Sequence, residues 1–452
     1  MTRQPLPAAS TLRRAILLAA SLLALTLPRP ALADIINVAA GDVPGFIAAI
    51  ITANASAGDD TINLGGGTYL FTAANNDANA LPVINNANTI TINGNGSTLA
   101  RSGAPAFRFF QVTAGNLTLN SLTLTGGNPG AATSGGAVLD SSTGTLTVTG
   151  GTFSGNTAQD GGAIFKSGSG NVTVTSSTFT NNTATSGTGD AEGGAIFAET
   201  TGNVTVTSST FVSNTATSSG TFGDASGGAI KIEPIDEIGG GNLTVTGSTF
   251  TNNTATSSGA DADGGAIEAE GGGNVTVTGS TFTNNRATSS GAPTEDGASG
   301  GGIKIENSGT LTITGNTFLN NRATSSGSGA SRGGALLVDE SSTSAVNNNC
   351  FVGNTAQSGG GVFNGSPPDV DAESNWWGAA NGPSEANPGG SGDGVSANVD
   401  FDPFLTSPPF AGCILAIPTL SEWAQLGMIA LLIVGGLLAL RRTKRAVPTR
   451  PA

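Results

Sequence analysis

Five acidic side chains recur at one place in a repeated phrase. Counted from the glycine pair that opens each copy, the residue six places on is Glu199, Glu233, Glu270, Glu306 and Asp339 in five successive copies. The residue four places on is Phe197, Lys231, Glu268, Lys304 and Leu337. In "GGAIKIE" apolar residues alternate with these positions, the period of a half-buried strand. Both columns are therefore expected to point away from the core. Stacked carboxylates repel one another, so lysines, solvent or bound cations must offset them. Calcium suits, because it takes several carboxylate oxygens. Glu199, Glu233, Glu270, Glu306 and Asp339 are thus candidate cation ligands. The alternative is a solvated acidic face part-neutralised by lysine. Further acids precede the glycine pairs: Asp160, Asp190, Glu192, Asp224, Asp261, Asp263 and Asp296. They are spread over many copies, which reads as solubilising charge rather than one site.

The same residues hold parts of a second chemistry. Enzymes that cut acidic polysaccharides need carboxylates converging with a basic group in a cleft. Glu233, Glu270 and Glu306 lie near Lys231 and Lys304 in the repeat. An active site normally breaks the regularity of its surroundings, and only the insertion "PIDEIGG" at 234–240 does so here. The chain has no histidine, which removes Ser-His-Asp and Cys-His nucleophile systems and His-ligated metals. No catalytic residue is assigned, and no cofactor is expected beyond the calcium. A polysaccharide lyase or hydrolase is the alternative to a non-catalytic protein.

What positions these columns is a repeat. Glycine pairs begin at Gly135, Gly161, Gly193, Gly227, Gly264, Gly300, Gly333 and Gly359. A Phe-x-x-Asn motif follows seven of them, from Phe153/Asn156 to Phe351/Asn354. The Phe stands 18 residues after the first glycine in six cases and 23 in the copy that carries the insertion. From the Asn to the next pair the distance runs from 5 to 15 residues, so each unit has a constant frame and one variable loop. "NVTVTSSTF" alternates with period 2, and no repeat segment has helical period. Such short strands bury their apolar face only by stacking coil on coil. The fold predicted is all-β, a right-handed parallel β-helix (a pectin-lyase-like solenoid) over 58–365. One Phe per coil would form an internal stack. The Asn would sit at a turn, tolerating left-handed geometry and bonding its neighbour in a ladder. Ten or eleven coils are expected, the first at 58–71. The pattern at 43–55 is helical and would close the open end, giving a cap over 34–57. A C-terminal cap and linker would occupy 366–416.

The ends carry sorting features. Arg13 and Arg14 precede an apolar run at 15–27, and Ala31, Leu32 and Ala33 fit a cleavage site after Ala33, so 1–33 reads as a signal peptide. A second apolar run, 424–440, is just long enough to span a bilayer, and "RRTKR" at 441–445 should hold 441–452 in the cytoplasm. The body is then exported. Between 34 and 416 it has 30 acidic against 8 basic residues, a net charge of −22. Such a surface repels nucleic acid and anionic lipid. Cys350 and Cys413 would lie in an oxidising compartment, where a bond between them would pin the tail to the last coil. Their separation of 63 residues leaves their proximity open.

Over about 135–365, the "GGA[I/V/L]" and "FxxN" motifs resemble the repeat of the chlamydial-type polymorphic outer membrane proteins. Gly302 and Gly361 replace the alanine of the first motif. The resemblance implies a surface β-helix, several members being adhesins; the family's C-terminal β-barrel translocator has no counterpart here. "IPTLSEWA" at 417–424, followed by a short apolar helix and a basic cluster, resembles the IPTL-CTERM sorting signal, with Ile417, Pro418, Thr419, Leu420 and Trp423 matching and Ala424 in place of the usual Gly. That resemblance implies processing by an exosortase-type enzyme in a Gram-negative envelope after a transient inner-membrane stage. "SNWWGAANGPS" at 374–384 resembles a segment that closes bacterial β-helices; Trp376 and Trp377 would plug the rod or offer a carbohydrate platform. Together these imply an exported, non-catalytic surface protein (adhesin, matrix or envelope structure). Its extracellular ligand, glycan or protein, is not named by the sequence.

Overall fold

The structure, a computed structural model, describes residues 33–413 apart from 104, 131, 236–238 and 292–296. Among the described residues no helix is long and apolar enough to cross a membrane. The segments expected to be a signal peptide (apart from Ala33), a sorting motif, a membrane span at 424–440 and a cytoplasmic tail lie outside them, as does Asp296.

The chain is a parallel β-helix. Its longest face is a 13-stranded sheet from Ile35–Val38 to Val399–Asp400. Neighbouring strands are parallel and in register, so like stacks on like: Val172, Val204, Leu243, Val275 and Leu311 form one inward row. Alternating Val and Thr produce this directly, with one face buried and the other wet. Thirteen rungs spaced 4.8 Å, the repeat of the aromatic stack, make a rod of about 58 Å. That exceeds the ten or eleven coils expected. Ile35–Val38 precedes the helix and pairs with Asp60–Leu64. Val370–Asp371 and Val399–Asp400 continue the sheet through the segment expected to be cap and linker. These end coils lack the glycine-pair and Phe landmarks.

The second face carries the phenylalanines. From Phe153 to Phe351 seven rings stack with centroids 4.7–5.0 Å apart and nearly parallel planes. Trp377 extends the stack at 4.8 Å from Phe351 and is fully buried. Trp376 packs beside Cys350 and Cys413. Neither indole is a carbohydrate platform, because a ring buried in the core has no face to offer a sugar. Cys350 is bonded to Cys413, with Cα atoms 5.4 Å apart. At the other end the helix Val43–Ala55 buries Phe46, Ala49, Ile50 and Ala53. Phe46 meets Tyr69 and Phe110 edge-on and closes the open core.

The asparagines split into two roles. Asn156, Asn182, Asn214, Asn253, Asn285 and Asn321 are fully buried, and each Nδ2 donates to the next Asn Oδ1 at 2.9–3.0 Å. The left-handed residue is not this Asn, as expected, but the one before it: Asn181, Ser213, Asn252, Asn284 and Asn320 have φ of 52–56°. A residue in that conformation turns the chain so that the following amide points inward.

The variable segments are not plain loops. Six of the seven begin with a short strand, such as Thr215–Ser218 or Thr254–Ser257, that joins a 6-stranded outer sheet. After the tip a two-residue strand returns in a 5-stranded sheet: Ala191–Glu192, Ala225–Ser226, Ala262–Asp263, Ala298–Ser299 and Ser331–Arg332. In the five segments that have both strands, length varies between the two. The second glycine of each pair lies where the coils touch; a Cβ on Gly162 or Gly194 would strike the backbone of the neighbouring coil.

Candidate functional site

The acidic columns stand on the third face, whose strands include Ile196–Glu199, Ile230–Glu233, Ile267–Glu270, Ile303–Glu306 and Leu336–Asp339. Ile230 and Ile232 point into the core, so Lys231 and Glu233 must point out. Lys231 aligns with Glu268, and Glu268 with Lys304. The inner column is nevertheless not solvated, contrary to expectation. Phe197, Lys231, Glu268 and Leu337 are buried, and the side chain of Lys304 is 13% exposed. The cover is the returning sheet. Its alanines Ala262 and Ala298 pack against Ala287 and Ala323 of the outer sheet. The alternate residues Glu192, Ser226 and Asp263 line a cleft with the third face.

The cleft holds about 420 Å³, and its lining contains ten carboxylates and two lysines. Five of the acids read as dispersed solubilising charge converge here: Asp190, Glu192, Asp224, Asp261 and Asp263. Across the cleft stand Glu233, Glu270, Glu306 and Asp339 from the outer column. Glu199 belongs to that column, in register with Glu233, but is not part of the lining. Asp190, Asp224 and Asp261 form a ladder. Each Oδ1 accepts the backbone N–H of Asp224, Asp261 and Gly297 in turn, at 2.9 Å.

Each lysine sits among three carboxylates. Lys231 Nζ lies 2.7 Å from Glu270, 3.4 Å from Glu268 and 3.6 Å from Glu233. Lys304 Nζ lies 3.0 Å from Asp263, 3.0 Å from Glu306 and 3.5 Å from Glu268. Burial works against both ammonium groups, but their acidic neighbours outweigh it and hold both well above the ordinary range. Burial also works to raise Glu268, yet the two lysines win and hold it low. At three other acids burial prevails over any cation nearby. Glu192 is pushed up to about 9, Asp263 up to about 8 despite Lys304, and Asp224 also rises. Asp160, beyond the cleft, rises to about 6, chiefly by burial, with Asp190 and Glu199 adding to it.

This chemistry does not suit an acidic polysaccharide. The cleft is strongly negative, and its lysines are spent on internal carboxylates. Among the described residues no group of three or more His, Cys, Asp or Glu side chains is arranged to hold a metal ion. The carboxylates run in file along the rod. The convergence of these acids, read from the sequence as dispersed charge, had a signal: Asp190, Asp224 and Asp261 stand three places before a glycine pair, and Glu192 and Asp263 stand one place before. A constant offset from the landmark becomes a column once the coils stack.

Two family models match parts of the chain. Residues 231–376 match the right-handed beta helix region, and residues 150–167 and 176–199 match the Chlamydia polymorphic membrane protein repeat. The chain is similar to both over these stretches. Neither curated proteins nor solved structures yield a significant match.

Proposed function

We propose that the protein is exported and displayed at the cell surface as a non-catalytic β-helix, an adhesin or a structural component of the matrix or envelope. The observation that carries this reading is the match of residues 150–167 and 176–199 to the polymorphic membrane protein repeat. A long, regular rod also presents an extended binding surface, the common use of solenoids. A signal peptide over 1–33 would begin export. The apolar run at 424–440 would hold the protein briefly in the inner membrane, until an exosortase-type enzyme directed by the IPTL-type motif at Ile417, Pro418, Thr419, Leu420 and Trp423 processes the C-terminus.

Protease treatment of intact cells of the native host tests the display. The β-helix should be cut or stripped without lysis, and mass spectrometry of the released protein should find no "RRTKR". A body protected until the cells are broken would refute surface display. A full-length C-terminus would refute the processing step alone.

A further inference from the structure

The acidic cleft contains acceptors that the protein itself leaves unmatched. Asp263 is 7% exposed and Glu268 is 2% exposed, and both line the cleft. Asp263 Oδ1 and Glu268 Oε2 are buried with no hydrogen-bond partner among the described residues. Buried acceptors without donors are costly, and each such group asks for an explanation. Ten carboxyl groups line the cleft with two lysines.

The two lysines show what the cleft accepts. Each ammonium sits within 4 Å of three carboxylates, drawn from both walls around Lys304 and from neighbouring coils around Lys231. An ammonium brings three donors and no acceptor, the complement of an ionised carboxylate. Lys231 and Lys304 stand two coils apart, with Glu268 between them. On the coils beyond, the same column becomes Phe197 and Leu337, while acids of the outer column and the Asp190–Asp224–Asp261 ladder remain. Carboxylates in file at the coil repeat suit a ligand with charges in file. A point cation would need several oxygens at one place, and among the described residues the cleft carboxylates that converge do so on the two lysine ammonium groups. No aromatic side chain lines the cleft to stack on a sugar. Its volume is that of a small-molecule site.

We infer that this cleft binds a linear polyamine, an extended chain of ammonium groups laid along the rod axis against the aspartate ladder and the Glu233–Glu270–Glu306 column. This goes beyond surface display and does not depend on it: the binding is a property of the purified protein, so failure of one leaves the other standing.

The test is calorimetric titration of the full-length protein with spermine at low and at physiological salt. The key variant is Asp190→Asn/Asp224→Asn/Asp261→Asn. Asparagine keeps the Oδ1 that accepts each backbone N–H, so the ladder survives while three charges go. Saturable binding near one spermine per chain is expected, weakened about tenfold or more in the variant and by salt. Glu270→Gln, on a half-exposed side chain, is the second variant should the triple one misfold, and it too should weaken binding. Equal affinity in a folded variant would reduce the effect to diffuse surface charge and overturn the proposal. So would calcium that binds stoichiometrically and displaces spermine at equal concentration, or tetralysine that binds more tightly than spermine.

Discussion

Replacing Lys231 by Met keeps the length and apolar stem of the side chain and removes its charge. In the native protein that ammonium meets Glu270, Glu268 and Glu233, and Glu268 is almost wholly buried. Removing one partner of a buried ion pair costs about 3–5 kcal/mol, because the other charge is left without compensation. Two features lower the figure here. Lys304 still lies 3.5 Å from Glu268, and Glu233 and Glu270 are half-exposed, so water screens them. A loss of about 2–4 kcal/mol is expected at pH 8. The pH dependence is the sharper reading. In the native protein Glu268 titrates below its ordinary range, so its contribution is present above the unfolded carboxylate pKa and lost as pH falls. Without Lys231, burial prevails over the remaining lysine, and the Glu268 pKa rises. A raised carboxyl pKa makes the folded state bind more protons than the unfolded one, so stability falls as pH rises. The cost of the substitution should therefore be small at pH 5 and large at pH 8. Urea denaturation of both proteins at the two pH values measures it. A cost below about 1 kcal/mol at pH 8, or an equal cost at both, would refute the idea that Lys231 neutralises a buried acid.

Three further outcomes follow from the same geometry. Phe250→Ala removes a fully buried ring held at 4.8 Å between Phe211 and Phe282, and should cost about 3–5 kcal/mol in equilibrium unfolding. Glu192, raised to about 9 by burial, makes folded protein less stable as pH climbs from about 4.3 toward 9; Glu192→Gln should flatten the fall of Tm with pH across that window. Cys413→Ser opens the bond to Cys350 across 63 residues and should lower stability by about 2–4 kcal/mol in non-reducing buffer, with no change under reductant.

The rod was legible in the residues because its determinants are local and repeated. Alternating Val and Thr set the buried face, the 18-residue frame aligned Phe over Phe, and the glycine pairs marked where coils touch. The asparagine was found, but its geometry was misplaced by one residue, since spacing alone does not distinguish the left-handed turn from the amide it directs inward. The coil count fell short because the end coils hold their strands by pairing with a finished neighbour rather than by a motif of their own.

The acidic cleft divides the same way. Sequence alone determined that Lys231, Glu268 and Lys304 share one column and Glu233, Glu270 and Glu306 another, because strand alternation and a constant offset leave no other arrangement. Only the tertiary structure decided that the first of these columns is covered. The variable segments turn back as a second sheet, alanine against alanine, and set Asp190, Glu192, Asp224, Asp261 and Asp263 opposite them. Charges up to 41 residues apart in the chain, such as Lys304 and Asp263, thereby come within 3.0 Å. Period and spacing describe which way a side chain points from its own strand. They carry no information about what another part of the chain lays over it, and that cover turns a solvated acidic stripe into a buried, proton-holding cleft.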